Sequence, residues 1–128
     1  TFLDGLIEDA RNRSESYTLL GRRRVLHDIR SKNPAVRNAA ERMAMNTPIQ
    51  GTAADLMKLA MIQIDYELQA GNYQSKLIIQ VHDEVVLDCP RAEVEQVQRL
   101  VCKAMEGAMT LSVPLRVNSA HGATWFDL

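Results

Sequence analysis

The residues best suited to chemistry in this chain are three neighbours, His82-Asp83-Glu84, set between the apolar runs Leu77-Ile78-Ile79 and Val85-Val86-Leu87. Adjacent carboxylates repel unless a cation or a polar partner offsets their charge. Magnesium is such a cation, because it keeps several waters and takes one or two protein carboxylates beside substrate phosphates. The pair therefore suits metal-assisted phosphoryl or nucleotidyl transfer, although a two-metal site needs a further carboxylate from elsewhere. Asp88 lies too far along the same hairpin to supply it, and Asp55 and Asp65 read as surface charges or caps of a helix. The plainer alternative is a polar turn between strands, where Asp is common without catalytic duty.

Arg42, Asn46 and Gln50 form a second set, spaced four apart. Positions four apart share a helix face. A guanidinium fork and two amides suit the acceptors that every base pair presents in the minor groove. Taken alone, such a triplet is more often a solvated helix edge.

The net charge of -1 says nothing of partners, but its distribution does. Between Arg22 and Arg42 there are seven basic residues against two acidic ones, and between Asp83 and Glu106 six acidic against three basic. A basic segment beside an acidic one suits a polyanion held near divalent cations, or else two solvated surfaces. Cys89 and Cys102 lack zinc or CxxC spacing and read as packed thiols of a reducing compartment. No apolar run is long enough to span a membrane, and no signal peptide opens the chain. The first residue is Thr1 rather than Met, which reads as a piece cut from something longer.

The elements that must position these residues follow from periodicity. Residues 1–14 carry Phe2, Leu3, Leu6, Ile7 and Ala10 at helical spacing. Residues 17–20 and 24–29 read as short strands around a turn at 21–23. Asn33-Pro34 opens a helix to about Asn46, with Val36, Ala39, Ala40 and Met43 inward. Thr47-Pro48 is expected to break it. A second helix runs to about Ala70, with Met57, Ala60, Met61, Ile64 and Leu68 buried and Gly71-Asn72 as its stop. The hairpin follows, then a helix over 91–108 and an edge strand over 113–118 interrupted by Pro114. The fold class is α+β: a small antiparallel sheet packed against several helices, in one unit over residues 1–128.

Residues 40–55 (AERMAMNTPIQGTAAD), 80–84 (QVHDE), 19–24 (LLGRRR) and 122–125 (GATW) resemble the C-terminal part of the bacterial family A DNA polymerases. The resemblance covers nearly the whole chain, and its two longest motifs are highly specific. It implies that the hairpin is the motif C element of a polymerase palm, with fingers elements adjoining. Asp83 then matches a ligand of two catalytic magnesium ions, and Glu84 the carboxylate that supports it. His82 matches the histidine that approaches the primer end. Arg42, Asn46 and Gln50 match residues touching the primer-template duplex near the new pair, and the stretch from Arg22 and Arg23 to Arg24 lies along the duplex backbone. The implied function is template-directed transfer from a dNTP to a primer 3'-hydroxyl in DNA replication and repair, in the bacterial cytoplasm.

Some of that pattern departs here. The family's other metal-binding aspartate and its nucleotide-binding fingers helix match nothing in residues 1–128, so this piece alone is expected to be inactive and to need the rest of the polymerase chain. His27 stands where the family often has Pro, and the glycine usual before Tyr17 is missing. Apolar faces that the parent would cover invite self-association of the isolated piece. Two rivals are a phage-type single-subunit RNA polymerase and a non-catalytic duplex-binding module.

Overall fold

In the computed structural model, which describes residues 1–128, the first helix, α1 (Phe2–Arg13), starts at Thr1, whose hydroxyl accepts from the Asp4 amide. Arg11 and Arg13 sit in its last turn, where the carbonyl end favours positive charge. Ser14 takes a left-handed conformation (φ 56°), and its N–H donates to Ala10 O at 2.7 Å. That reversal sends the chain into β1 (Glu15–Tyr17), antiparallel to β2 (Arg23–Val25), with Ser16 facing Arg24. The strands lie earlier and are shorter than the apolar pattern of 17–20 and 24–29 predicts. Residues 18–22 between them hold a turn instead: Thr18 N–H donates to Arg22 O, and Gly21 (φ 84°) donates back to Thr18 O.

The chain divides into two compact units, Thr1–Asp55 and Leu56–Leu128. In the first, Ala10, Leu26, Ile29, Ala40 and Ala44 form the core. α2 (Pro34–Asn46) is capped by the Asn33 side chain, which accepts from the Ala35 amide, with Pro34 in the first turn. Its inward face differs from expectation, since Ala40 and Ala44 are buried while Val36 and Met43 are exposed. The small residues face inward because the backbone of β1 comes close enough for Ser16 Oγ to donate to Ala44 O.

Thr47-Pro48 does not break the helix. Residues Thr47–Gly51 form a π-helical turn that joins α2 to α3 (Thr52–Ala70), and Thr47 and Thr52 at its ends keep right-handed helical angles. Pro48 has no amide hydrogen, so the carbonyl four residues earlier, Ala44 O, loses its usual donor. The helix continues there through the wider π turn, whose bonds close at i+5, instead of ending. Ser16 Oγ adds a donor to the same carbonyl at 3.3 Å.

In the second unit, Met57, Ala60, Ile64 and Leu68 of α3 pack against Val97, Val101, Ala104 and Met105 of α4 (Val94–Glu106). α3 stops in a paired-hydrogen-bond cap: Asn72 is left-handed (φ 53°), Asn72 N–H donates to Gln69 O, and Tyr73 N–H to Leu68 O. β3 (Lys76–Val81) and β4 (Glu84–Asp88) make the hairpin, with Leu77, Val85 and Leu87 packed on the helical core. A bulge between Leu77 and Ile79 leaves Ile78 outside the pairing, and it is exposed. The helix expected from residue 91 begins with a 3-10 turn, Arg91–Glu93, before α4.

No strand forms over 113–118. Pro114 offers no donor, and the Val117 amide goes to Glu106 Oε1 at 3.1 Å rather than to a ladder. A last 3-10 turn spans Trp125–Asp127. The α+β class holds, with two two-stranded antiparallel sheets. No helix is long and apolar enough to cross a membrane.

Candidate functional site

Val81 pairs with Glu84, so the turn of the β3–β4 hairpin is His82-Asp83 alone. Glu84 belongs to the strand rather than to the tip. Its neighbour Val85 packs on the core, and because strand residues alternate, Glu84 projects to the opposite face. His82 has φ 51°, the sign that tight hairpin turns require at their first central position and that histidine tolerates better than most residues. Gln80 Nε2 donates to the His82 carbonyl at 2.6 Å and ties the turn down from β3. His82, Asp83 and Glu84 are all exposed.

Two carboxylates on a two-stranded support fit magnesium as part of its shell, since that ion needs few protein oxygens. No three His, Cys, Asp or Glu side chains gather where they could hold a metal ion.

The first unit holds the other set. Arg42 and Asn46 lie one turn apart on α2, Gln50 lies in the π turn, and all three are exposed. A cleft of about 280 Å³ has Arg22, Arg23 and Arg24 among its lining residues, together with Asn46 and Gln50. The structure thus brings two of the three amide and guanidinium positions together with the basic stretch, while Arg42 is outside the lining.

The cleft's arginines differ in what already holds them. Arg22 Nε donates to Asp55 Oδ1 at 2.7 Å and Arg22 Nη2 to Gly51 O at 3.3 Å. Arg23 Nη1 donates to Glu15 Oε1 at 3.1 Å, and that carboxylate also accepts from the Tyr17 hydroxyl. The same contact pushes the Tyr17 hydroxyl pKa up, because a neighbouring carboxylate disfavours the phenolate. Arg24 rests only on the Met43 sulfur, at 3.7 Å, among its polar contacts.

Asp55 is the residue that periodicity misplaced. It is buried rather than a surface charge, with a side chain 8% exposed against 51% for Arg22. Its setting among Ala53, Ala54, Leu56 and Met57 was the available signal, since an acid in so apolar a stretch needs a partner.

The sequence model described as DNA polymerase family A matches residues 1–127. DNA polymerase I of Streptococcus pneumoniae (serotype 4, strain ATCC BAA-334 / TIGR4) is 48% identical over 126 residues, covering 98% of this chain and 14% of that protein. The DNA polymerase I of Geobacillus stearothermophilus is 48% identical with the same coverage. Among solved structures, the POL domain of Pol1 from M. smegmatis, in complex with DNA primer-template and dNTP, superposes with a TM-score of 0.87 at 41% identity. That match covers 90% of this chain and 20% of the other. The chain thus spans 14% of the length of these curated relatives.

Proposed function

The chain belongs to DNA polymerase family A, and from that premise we propose that it forms part of the palm with adjoining fingers elements, carrying one side of a nucleotidyl-transfer centre. The observation that carries this is the two-residue His82-Asp83 turn, with Glu84 first on the returning strand.

In this reading Asp83 holds the catalytic magnesium ions and Glu84 supports that site from the neighbouring strand position. When bound, the two ions lower the pKa of the primer hydroxyl and offset charge developing on the phosphates. His82 abuts the primer end from the same turn. A rigid support matters because reacting atoms a fraction of an ångström out of line lose much of the advantage of proximity.

Arg42, Asn46 and Gln50 contact the minor groove of the primer-template duplex. Acceptors there are nearly common to all base pairs, so such contacts test pair shape without reading sequence. Arg22, Arg23 and Arg24 stand beside the duplex backbone and supply salt-dependent affinity. Arg22 and Arg23 add less than free cations would, because each already pairs with a carboxylate. The partners are primer-template DNA, a dNTP and the rest of the polymerase chain, in the replication and repair of bacterial DNA in the cytoplasm. The exposed apolar residues Leu59, Ile62 and Tyr66 of α3 are covered by that remaining chain, or by a second copy when the piece is isolated.

Primer extension tests the reading. The full-length protein containing this chain extends a primer with dNTPs in magnesium, in preference to ribonucleotides, and residues 1–128 alone do not. A full-length protein that binds duplex without extending it overturns the reading in favour of a silent module.

A further inference from the structure

We propose that Asp55 is a positioning residue for duplex engagement: it holds the Arg22 guanidinium so that Arg22 braces the Gly51 carbonyl and fixes the π turn that presents Gln50. The proposal rests on the reading of Asn46 and Gln50 as duplex contacts, and goes beyond it by giving Arg22 and Asp55 a different task.

Pro48 removes a ladder hydrogen bond at the π turn, so that turn has less backbone support than a regular helical turn. Three ties from the turn between β1 and β2 support it. Arg22 Nη2 donates to Gly51 O at 3.3 Å, and the Leu19 amide donates to Thr52 Oγ1 at 3.0 Å. Thr18 packs so closely that a Cβ on Gly51 would stand 2.7 Å from its methyl group. Gln50 is the residue immediately before this clamped glycine and lines the cleft with it.

Arg22 cannot brace alone. It is half exposed, and a free arginine side chain samples many rotamers. Asp55 is nearly buried on the first turn of α3, so its 2.7 Å charge-assisted bond to Nε anchors the guanidinium. One fork then spans two points of the helix, the Asp55 carboxylate and the Gly51 carbonyl. Lysine, with a single point of charge, cannot reproduce that span.

The test uses the full-length polymerase, with duplex affinity, the KM for primer-template, kcat and thermal unfolding measured together. Asp55→Ala raises the Kd and KM for primer-template about tenfold, the scale of one charge-assisted hydrogen bond, with kcat within about twofold. Asp55→Asn, which keeps an acceptor, recovers part of the loss, and Arg22→Lys reproduces it even if Asp55→Ala unfolds the protein. The double variant Asp55→Ala/Gln50→Ala binds duplex no worse than Gln50→Ala within about twofold, because one residue acts through the other. If Gln50→Ala weakens binding while Asp55→Ala and Arg22→Lys do not, or if the losses multiply in the double variant, the brace is wrong and the duplex reading stands. If Gln50→Ala itself leaves binding unchanged, the duplex reading fails and the brace with it.

Discussion

Val81 and Glu84 oppose each other on the last rung of the β3–β4 ladder, and that pairing confines the reversal to His82 and Asp83. A two-residue reversal leaves no slack. The Asp83 backbone is fixed by the strands on either side, and the bulge at Ile78 adds local twist further down the same hairpin. The tip is thus aimed by the sheet rather than by a loop.

The cost of this reversal falls on His82, at φ 51°. A residue with a Cβ held there loses on the order of 1 kcal/mol relative to glycine. His82→Gly therefore leaves the melting temperature unchanged or raises it, while primer extension by the full-length polymerase falls. Thermal unfolding and extension measured on one preparation check this. A variant that loses stability and activity in parallel counts against a functional imidazole.

Gly51 sits against Thr18. Gly51→Ala places a methyl group within 2.7 Å of the Thr18 methyl and destabilises the fold by about 1–3 kcal/mol. Thr18→Ser removes that methyl but keeps the hydroxyl that accepts from the Arg22 amide. In urea unfolding, the double variant regains most of what Gly51→Ala loses. Purely additive effects would mean that the two side chains do not meet.

Glu93 links the start of β3 to the 3-10 turn before α4. Its carboxylate accepts from the Gln74 amide at 2.8 Å, the Ser75 hydroxyl at 2.6 Å and the Ser75 amide at 3.0 Å. These bonds, the Gln74 amide foremost, hold its pKa below the ordinary value of 4.5. A depressed folded pKa means that the unfolded chain binds the proton first on acidification. The stabilisation is therefore complete above pH 4.5 and is lost as pH falls through the lower folded value. In melting temperatures scanned across this range, Glu93→Gln is less stable than the parent above pH 4.5 and converges with it in acid. Parallel curves would show that the carboxylate contributes nothing.

How much was legible depends on how far apart the cooperating residues lie. The hairpin, the Asn33-Pro34 start and the Gly71-Asn72 stop are local signals, and the structure has all three. The continuity through Pro48 was not legible, because the hydroxyl supplementing the Ala44 carbonyl belongs to Ser16, 28 residues away. Asp55 looked like a first-turn surface acid because its partner, Arg22, is 33 residues away. The alternation over 113–118 suggested a strand, but alternation supplies no ladder partner, and a side-chain carboxylate takes the Val117 amide. At the tip, residue type and spacing marked Asp83 and Glu84, but only the register separated the turn residue from the strand residue.

The most direct test of the account is Asp83→Asn in the full-length protein containing this chain, an isosteric change that removes the charge of the proposed metal ligand and leaves the hairpin's register intact. Single-turnover extension and primer-template affinity are measured side by side. The account predicts that extension falls about a thousandfold or more, the scale of several kcal/mol of metal-assisted charge stabilisation, while the duplex Kd stays within about twofold. Extension within about tenfold of the parent would contradict it, because Asp83 would then hold no metal that the reaction needs.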